Sequence, residues 1–190
     1  NDGILLSFFK KKKLNVLGLE TSRKMMQLAK MKKIKTLPYY LNNKAVSKIL
    51  KNYPKPKLIT INNYLANIDN LSLFLKNLKK IIHKKGIICV ESTYLGNLQK
   101  NNFFDWIYHD HLSYFSILPL QKFFEKRGFI LHDLEKNESK GGSYRYFFSL
   151  KQGHYEELDK LEKINNSIIY EKKNKINFLL AFNKLKKNIN

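Results

Sequence analysis

Tyr108, His109, Asp110 and His111 place a phenol, two imidazoles and a carboxylate in four consecutive positions. Such a set can supply a general base, a group to orient it and a donor for a developing oxyanion. The run sits within residues 104–116, where Trp106, Tyr114 and Phe115 imply shelter from water. A solvated charged loop rarely carries so many aromatic side chains, so the segment reads as an active site. His109 reads equally well as a structural histidine. Metal binding by positions 109–111 is disfavoured, because adjacent residues rarely aim their donors at one ion.

Short apolar stretches and amphipathic helices must hold this segment in place. Residues 14–19 are apolar and bounded by turns, which predicts a buried parallel strand. Thr21 or Ser22 can cap a helix running to about Lys32. Residues 34–37 predict a short strand, 43–52 a helix stopped before Pro54 and Pro56, and 57–61 another strand. Leu71, Phe74, Leu75, Leu78 and Ile82 recur at helical spacing, and residues 86–91 follow as a third strand. Beyond the His-rich run, Ser116 can cap a helix to Lys126, ended by Gly128. Residues 129–134 and 143–149 predict an antiparallel pair. Residues 155–187 predict one long amphipathic helix, with Leu158, Leu161, Ile164, Ile168, Ile176, Leu179, Phe182 and Leu185 near one stripe. This alternation argues for an α/β fold, mostly parallel with an antiparallel edge.

Composition excludes several classes. With 190 residues, 43% hydrophobic and 13% aromatic, the chain suits a globular domain and not a disordered one. No apolar run approaches the roughly 20 residues needed to span a bilayer. The single cysteine, Cys89, excludes a disulfide framework, and a cytoplasmic setting is the expectation. The net charge of +21 invites a nucleic-acid-binding module as a rival reading. Against it, lysine supplies 33 of the 36 cations and arginine only three, spread along the whole chain. Abundant Lys, Asn and Ile together suggest a compositional bias, so no nucleic-acid partner is expected. Attraction to an anionic small molecule stays compatible with the charge.

In a doubly wound sheet, ligands gather at the carboxyl ends of the strands. Glu20 follows the strand at 14–19, where an acid can hold ribose hydroxyls or simply favour a helix N-terminus. Asn63 follows the strand at 57–61, and Glu91 and Tyr94 follow the one at 86–90. The His-rich run comes to the same rim. Gly141-Gly142 and Arg145 are open to two readings, as part of that rim or as an ordinary loop and strand.

The chain resembles the S-adenosylmethionine-dependent C-methyltransferases that act on nucleotide-linked 4-keto-deoxysugars. Asn1-Asp2-Gly3 resembles the tail of that family's Glu-x-Gly-x-Asn-Asp-Gly cofactor loop, and residues 17–22 its Leu-Gly-Ile-Glu-Pro-Ser. Residues 63–68 resemble Asn-Val-x-Ala-His-Ile, and 104–116 closely match Phe-Asp-x-Ile-Tyr-His-Glu-His-Leu-Ser-Tyr-Phe-Ser. Residues 141–145 match Gly-Gly-Ser-Leu-Arg at all but one position.

The resemblance implies a class I methyltransferase core with a Rossmann-like sheet over residues 1–150, lacking its first strand. Residues 151–190 would form a connector helix towards a further domain, and the ends read as those of a fragment. Asn1, Asp2, Gly3, Glu20 and Asn63 would bind S-adenosylmethionine. Asn67, Tyr114, Gly142, Ser143 and Arg145 would bind the nucleotide-linked sugar. His111 would be the base, with Tyr108 beside it to position substrate or stabilise an enolate, and Asp110 to orient the pair. Zinc belongs to an N-terminal module of the family outside this chain, and no metal is expected here. Asp110 stands where the family has Glu, and Asn67 where it has His. Asn67 can still hydrogen-bond a hydroxyl but cannot exchange a proton near neutral pH. A methyltransferase acting on oxygen or nitrogen is the alternative within the same fold.

Overall fold

The computed structural model describes residues 1–101, 107–153 and 159–189. Phe104, Asp105 and Trp106 of the aromatic run, and positions 155–158 of the expected long helix, lie outside the described residues. The chain divides into two compact units, residues 1–55 and 56–190.

In the first unit α1 (Ile4–Lys11) precedes β1 (Gly18–Leu19), α2 (Arg23–Met31), β2 (Thr36–Leu37) and α3 (Asn43–Asn52). β1 and β2 pair in parallel, Gly18 opposite Thr36 and Leu19 opposite Leu37. The helices start where the sequence offers a capping oxygen: Ser22 accepts from Met25 N–H and Asn42 from Ala45 N–H. Ala29, Ile34, Leu37, Ala45, Val46 and Ile49 are buried. Helix α1 follows the expected loop at residues 1–3 and lacks a side-chain cap, so no capping signal announces it.

The second unit contains β3 (Leu58–Asn62), α4 (Leu71–Ile81), β4 (Ile87–Thr93), α5 (Leu95–Asn101), α6 (Ile117–Glu125), β5 (Phe129–Asn137), β6 (Ser143–Leu150), α7 (Leu161–Lys173) and α8 (Phe178–Ile189). Its sheet has the order β3-β4-β6-β5. β3 and β4 are parallel, while β6 runs antiparallel to both β4 and β5. Three of these four strands therefore share one direction, and β6 is threaded between β4 and the edge strand β5. The expected antiparallel pair is present. Ile88, Val90, Tyr146 and Phe148 are fully buried, and Phe148 stacks on Phe124 of α6 with ring centroids 4.0 Å apart.

The expected α/β class, mostly parallel with an antiparallel pair, is present: the described strands pair as β1-β2 within the first unit and β3-β4-β6-β5 within the second. One expectation needs correction. The long C-terminal helix is broken into α7 and α8 at residues 174–177. Lys175 adopts φ 49°, the left-handed region that ends helices. Asn177 then caps the new helix, its Oδ1 accepting Leu180 N–H at 2.8 Å, while its own N–H donates to Gln99 of α5. The continuous apolar stripe masked this break. Among the described residues no helix is long and apolar enough to cross a membrane.

Candidate active site

The second unit holds a small cleft lined by Asn63, Thr93, Tyr94, His111, Tyr114 and Lys140, among others. Its His-rich wall is shaped by a tight turn in which His111 N–H donates to the Tyr108 carbonyl at 3.0 Å. The turn brings the Tyr108 hydroxyl within 2.9 Å of His111 Nε2, with ring centroids 4.2 Å apart. A neutral imidazole accepts the phenolic proton at Nε2, and an imidazolium donates to the phenol oxygen. The pair can therefore hold a proton in either position. Tyr114 meets His111 edge-on at 5.9 Å, and burial pushes its phenol above the ordinary range.

Main-chain bonds fix this wall. The N–H groups of Leu112 and Ser113 both donate to the Ala66 carbonyl, at 2.8 and 3.2 Å. Leu95 N–H donates to Phe115 O at 2.9 Å, and Ile107 and Tyr114 pack on the buried Leu95 and Leu98 of α5. Asp110 pairs with His109, Nε2 to Oδ1 at 3.3 Å, on side chains 59% and 90% exposed. The two expected substrate residues Asn67 and Tyr114 flank the same Ala66 anchor, Asn67 exposed at the end of a single 3-10 turn.

Glu91, near the carboxyl end of β4, is the polar centre beneath the rim. Its side chain is 8% exposed, and its carboxylate accepts from four side chains. Arg145 Nε lies at 2.7 Å, Asn63 Nδ2 at 3.2 Å, Asn137 Nδ2 at 3.3 Å and Ser139 Oγ at 3.3 Å. The Glu91 carboxylate holds the Arg145 guanidinium still more firmly protonated. The expected residues Asn63 and Arg145 are thus joined through an acid that sequence reasoning placed on the rim but gave no role. The signal was available: a carboxylate two residues before the end of an otherwise apolar buried strand needs partners.

The glycine-rich turn is tied to the same rim. Tyr94 N–H donates to Gly142 O at 3.2 Å, and Ser143 Oγ donates to Ser139 O at 3.0 Å. Gly142 has φ 105°, and a Cβ there would come within 1.9 Å of Asn97 Nδ2. Glycine is required at this position both for its backbone and for its lack of a side chain.

In the first unit Asn1, Asp2, Gly3 and Glu20 lie together. Glu20 Oε1 accepts Thr21 and Ser22 N–H at 2.8 and 2.7 Å, while Oε2 takes the terminal ammonium of Asn1. The two Oε1 bonds tie the Glu20 side chain to the start of α2. Lys32 holds the Asp2 carboxyl below its usual range, and Gly3 sits at φ 77° against Ala29 and Ile34. Among the described residues no group of three His, Cys, Asp or Glu could hold a metal ion.

The family model described as a methyltransferase domain matches residues 1–134. C-methyltransferase NovU of Streptomyces niveus is 29% identical over 147 residues, 77% of this chain and 35% of that protein. The chain therefore spans about a third of the length of that relative. Among solved structures, an Anabaena variabilis SAM-dependent methyltransferase superposes with TM-score 0.61 at 12% identity, covering 78% of this chain and 73% of that one. A Thermotoga maritima SAM-dependent methyltransferase gives 0.58 at 16%, covering 79% and 77%. LepI, solved with SAM, gives 0.57 at 12%, covering 78% and 40%.

Proposed function

The chain belongs to the methyltransferase domain family, and from this premise we propose that it uses S-adenosylmethionine to methylate carbon on a nucleotide-linked 4-keto-deoxysugar. The observation that carries the reading is the 2.9 Å bond between Tyr108 and His111 in the cleft wall. Methyl transfer to carbon next to a ketone needs the α-proton removed first, which transfer to a hydroxyl or amine does not need to the same degree. The similarity to a C-methyltransferase supports the same choice.

Bound S-adenosylmethionine supplies an electrophilic methyl group. Asn1, Asp2, Gly3 and Glu20 are the residues of the first unit that would hold it. In the second unit His111 Nε2 takes the α-proton of the acceptor. The Tyr108 hydroxyl, released from its bond to Nε2 as the imidazole becomes charged, donates to the forming enolate oxygen. Tyr114 covers one side of the imidazole, and Asn67 and the Gly142–Ser143 turn offer polar contacts to the sugar. Asp110, paired with the exposed His109, tunes the charge of the segment from its outer side.

The test uses the full-length protein with methyl-labelled S-adenosylmethionine and a panel of nucleotide-linked 4-keto-6-deoxysugars. Carbon NMR of the product should show a methyl bonded to carbon. A methyl on oxygen or nitrogen would overturn the proposal. A second measurement uses S-adenosylhomocysteine in deuterated water, where the wild type should exchange the acceptor's α-hydrogen without methylating it.

A further inference from the structure

Asn63 is bound twice to one residue. Its backbone N–H donates to the Glu91 carbonyl at 2.8 Å, and its Nδ2 donates to Glu91 Oε1 at 3.2 Å. Its backbone sits at φ 49°, a left-handed conformation that asparagine tolerates better than most residues. The orientation of its amide is dictated by chemistry: a carboxylate only accepts, so the amide atom facing Glu91 must be the nitrogen. The other atom, Oδ1, is buried and has no hydrogen-bond partner among the described residues, although Asn63 lines the cleft. A buried acceptor without a donor is costly, so such groups in native proteins nearly always find a partner.

We infer that Glu91 is a positioning residue that locks Asn63 as a one-way hydrogen-bond acceptor, so that the cleft selects a ligand carrying a donor, an ammonium or a hydroxyl, at that point. The choice of donor deepens the methyltransferase reading and rests on it, because an ammonium belongs to the cofactor and a hydroxyl to the sugar acceptor. Three other donors stabilise the lock. Arg145 balances the charge of Glu91 and Asn137 donates to the same carboxylate oxygen, with the Ser139 hydroxyl 3.3 Å from the other, so Glu91 is held against Asn63. An isolated asparagine could flip its amide and accept either kind of partner. One held against a carboxylate cannot.

The first measurement needs no ligand. In the wild-type full-length protein the Asn63 side-chain amide should show exchange-protected, hydrogen-bonded protons by NMR, and Glu91→Gln should abolish that protection. An unprotected amide in the wild type would overturn the lock and leave the methyltransferase reading untouched. The second measurement compares Asn63→Leu and Glu91→Gln, each checked for folding by circular dichroism, in calorimetric titrations. With an ammonium as the donor, both variants lose about tenfold in affinity for S-adenosylhomocysteine and nothing for its des-amino analogue. With a hydroxyl as the donor, S-adenosylhomocysteine affinity is kept and the loss falls on thymidine diphosphate glucose. A loss of equal size for S-adenosylhomocysteine and its des-amino analogue would mean a structural role only and would overturn the inference. So would unchanged affinity for all three probes. Wild-type protein that binds no S-adenosylhomocysteine would instead count against the methyltransferase reading, with the amide measurement still judging the lock.

Discussion

Glu171 in α7 accepts the backbone N–H of Ile117 at 2.6 Å with one oxygen and that of Leu118 at 3.0 Å with the other. Two of the free amides at the start of α6 are therefore satisfied by a buried carboxylate from a helix 54 residues further on. Ser116 occupies the capping position, as its sequence context suggests, but its side chain makes no capping bond. The anion complements the positive end of the helix as well as its donors. Glu171→Ala should destabilise the second unit by about 1–3 kcal/mol, the cost of unsatisfied buried amides. Chemical denaturation read by circular dichroism checks this, and Glu171→Gln, which keeps one acceptor, should lose less.

Buried phenols near the same carboxylate give the stability an alkaline limit. Burial, and then the charge of Glu171, push the phenols of Tyr94, Tyr144 and Tyr146 above their ordinary value. A raised phenol pKa means that the folded chain keeps protons the unfolded chain releases. The associated stability is complete below about pH 10 and is lost as the pH rises beyond it. Melting temperature should fall above that pH, and Tyr146→Phe should make the fall shallower. An equally steep fall in that variant would assign the limit to other groups.

The proposed role of His111 as base predicts that its removal affects turnover and spares cofactor binding. His111→Ala is expected to lower kcat by about 10²- to 10⁴-fold, the usual worth of a positioned general base. Tyr108→Phe should lower it by roughly tenfold, the value of one hydrogen bond. Titration with S-adenosylhomocysteine should give unchanged affinity in both variants. If His111→Ala turned over normally, proton abstraction by this residue would be refuted.

Gly142→Ala should disturb the rim locally. The backbone at φ 105° alone costs a side-chain-bearing residue about 1–2 kcal/mol, and the added methyl collides with Asn97. Hydrogen exchange is the direct readout. The Tyr94 amide, which donates to Gly142 O, should lose protection in the variant, while amides in the β3–β4 ladder keep theirs.

Elements governed by local signals were legible in the sequence. Helix α3 spans the expected residues 43–52 and ends before the prolines that stop it, and β3, β4 and α4 fall within a residue or two of their apolar patterns. The Tyr108–His111 pair was legible because both partners lie in one turn. What was not legible depends on distant contacts. The break between α7 and α8 rests on a bond from Asn177 to Gln99 of α5, which no helical periodicity records. The Glu91 cluster gathers residues from four separate segments, so spacing along the chain offered no pattern to read. Helix α5 was overlooked because its seven residues look like a polar loop until Leu95 and Leu98 are seen under the His-rich wall.

The Ala66 carbonyl bears on how this chain can diverge. Because it grips the amides of Leu112 and Ser113, the path of the His-rich wall is held by main-chain atoms that every residue type except proline can provide. The outward side chains of His109, Asp110 and Leu112 carry little of that restraint. Substitution at these three positions can therefore leave the path of the wall unchanged, while the imidazole at position 111 keeps its aim. The backbone scaffold of the wall is thus separable from the chemistry its exposed side chains display.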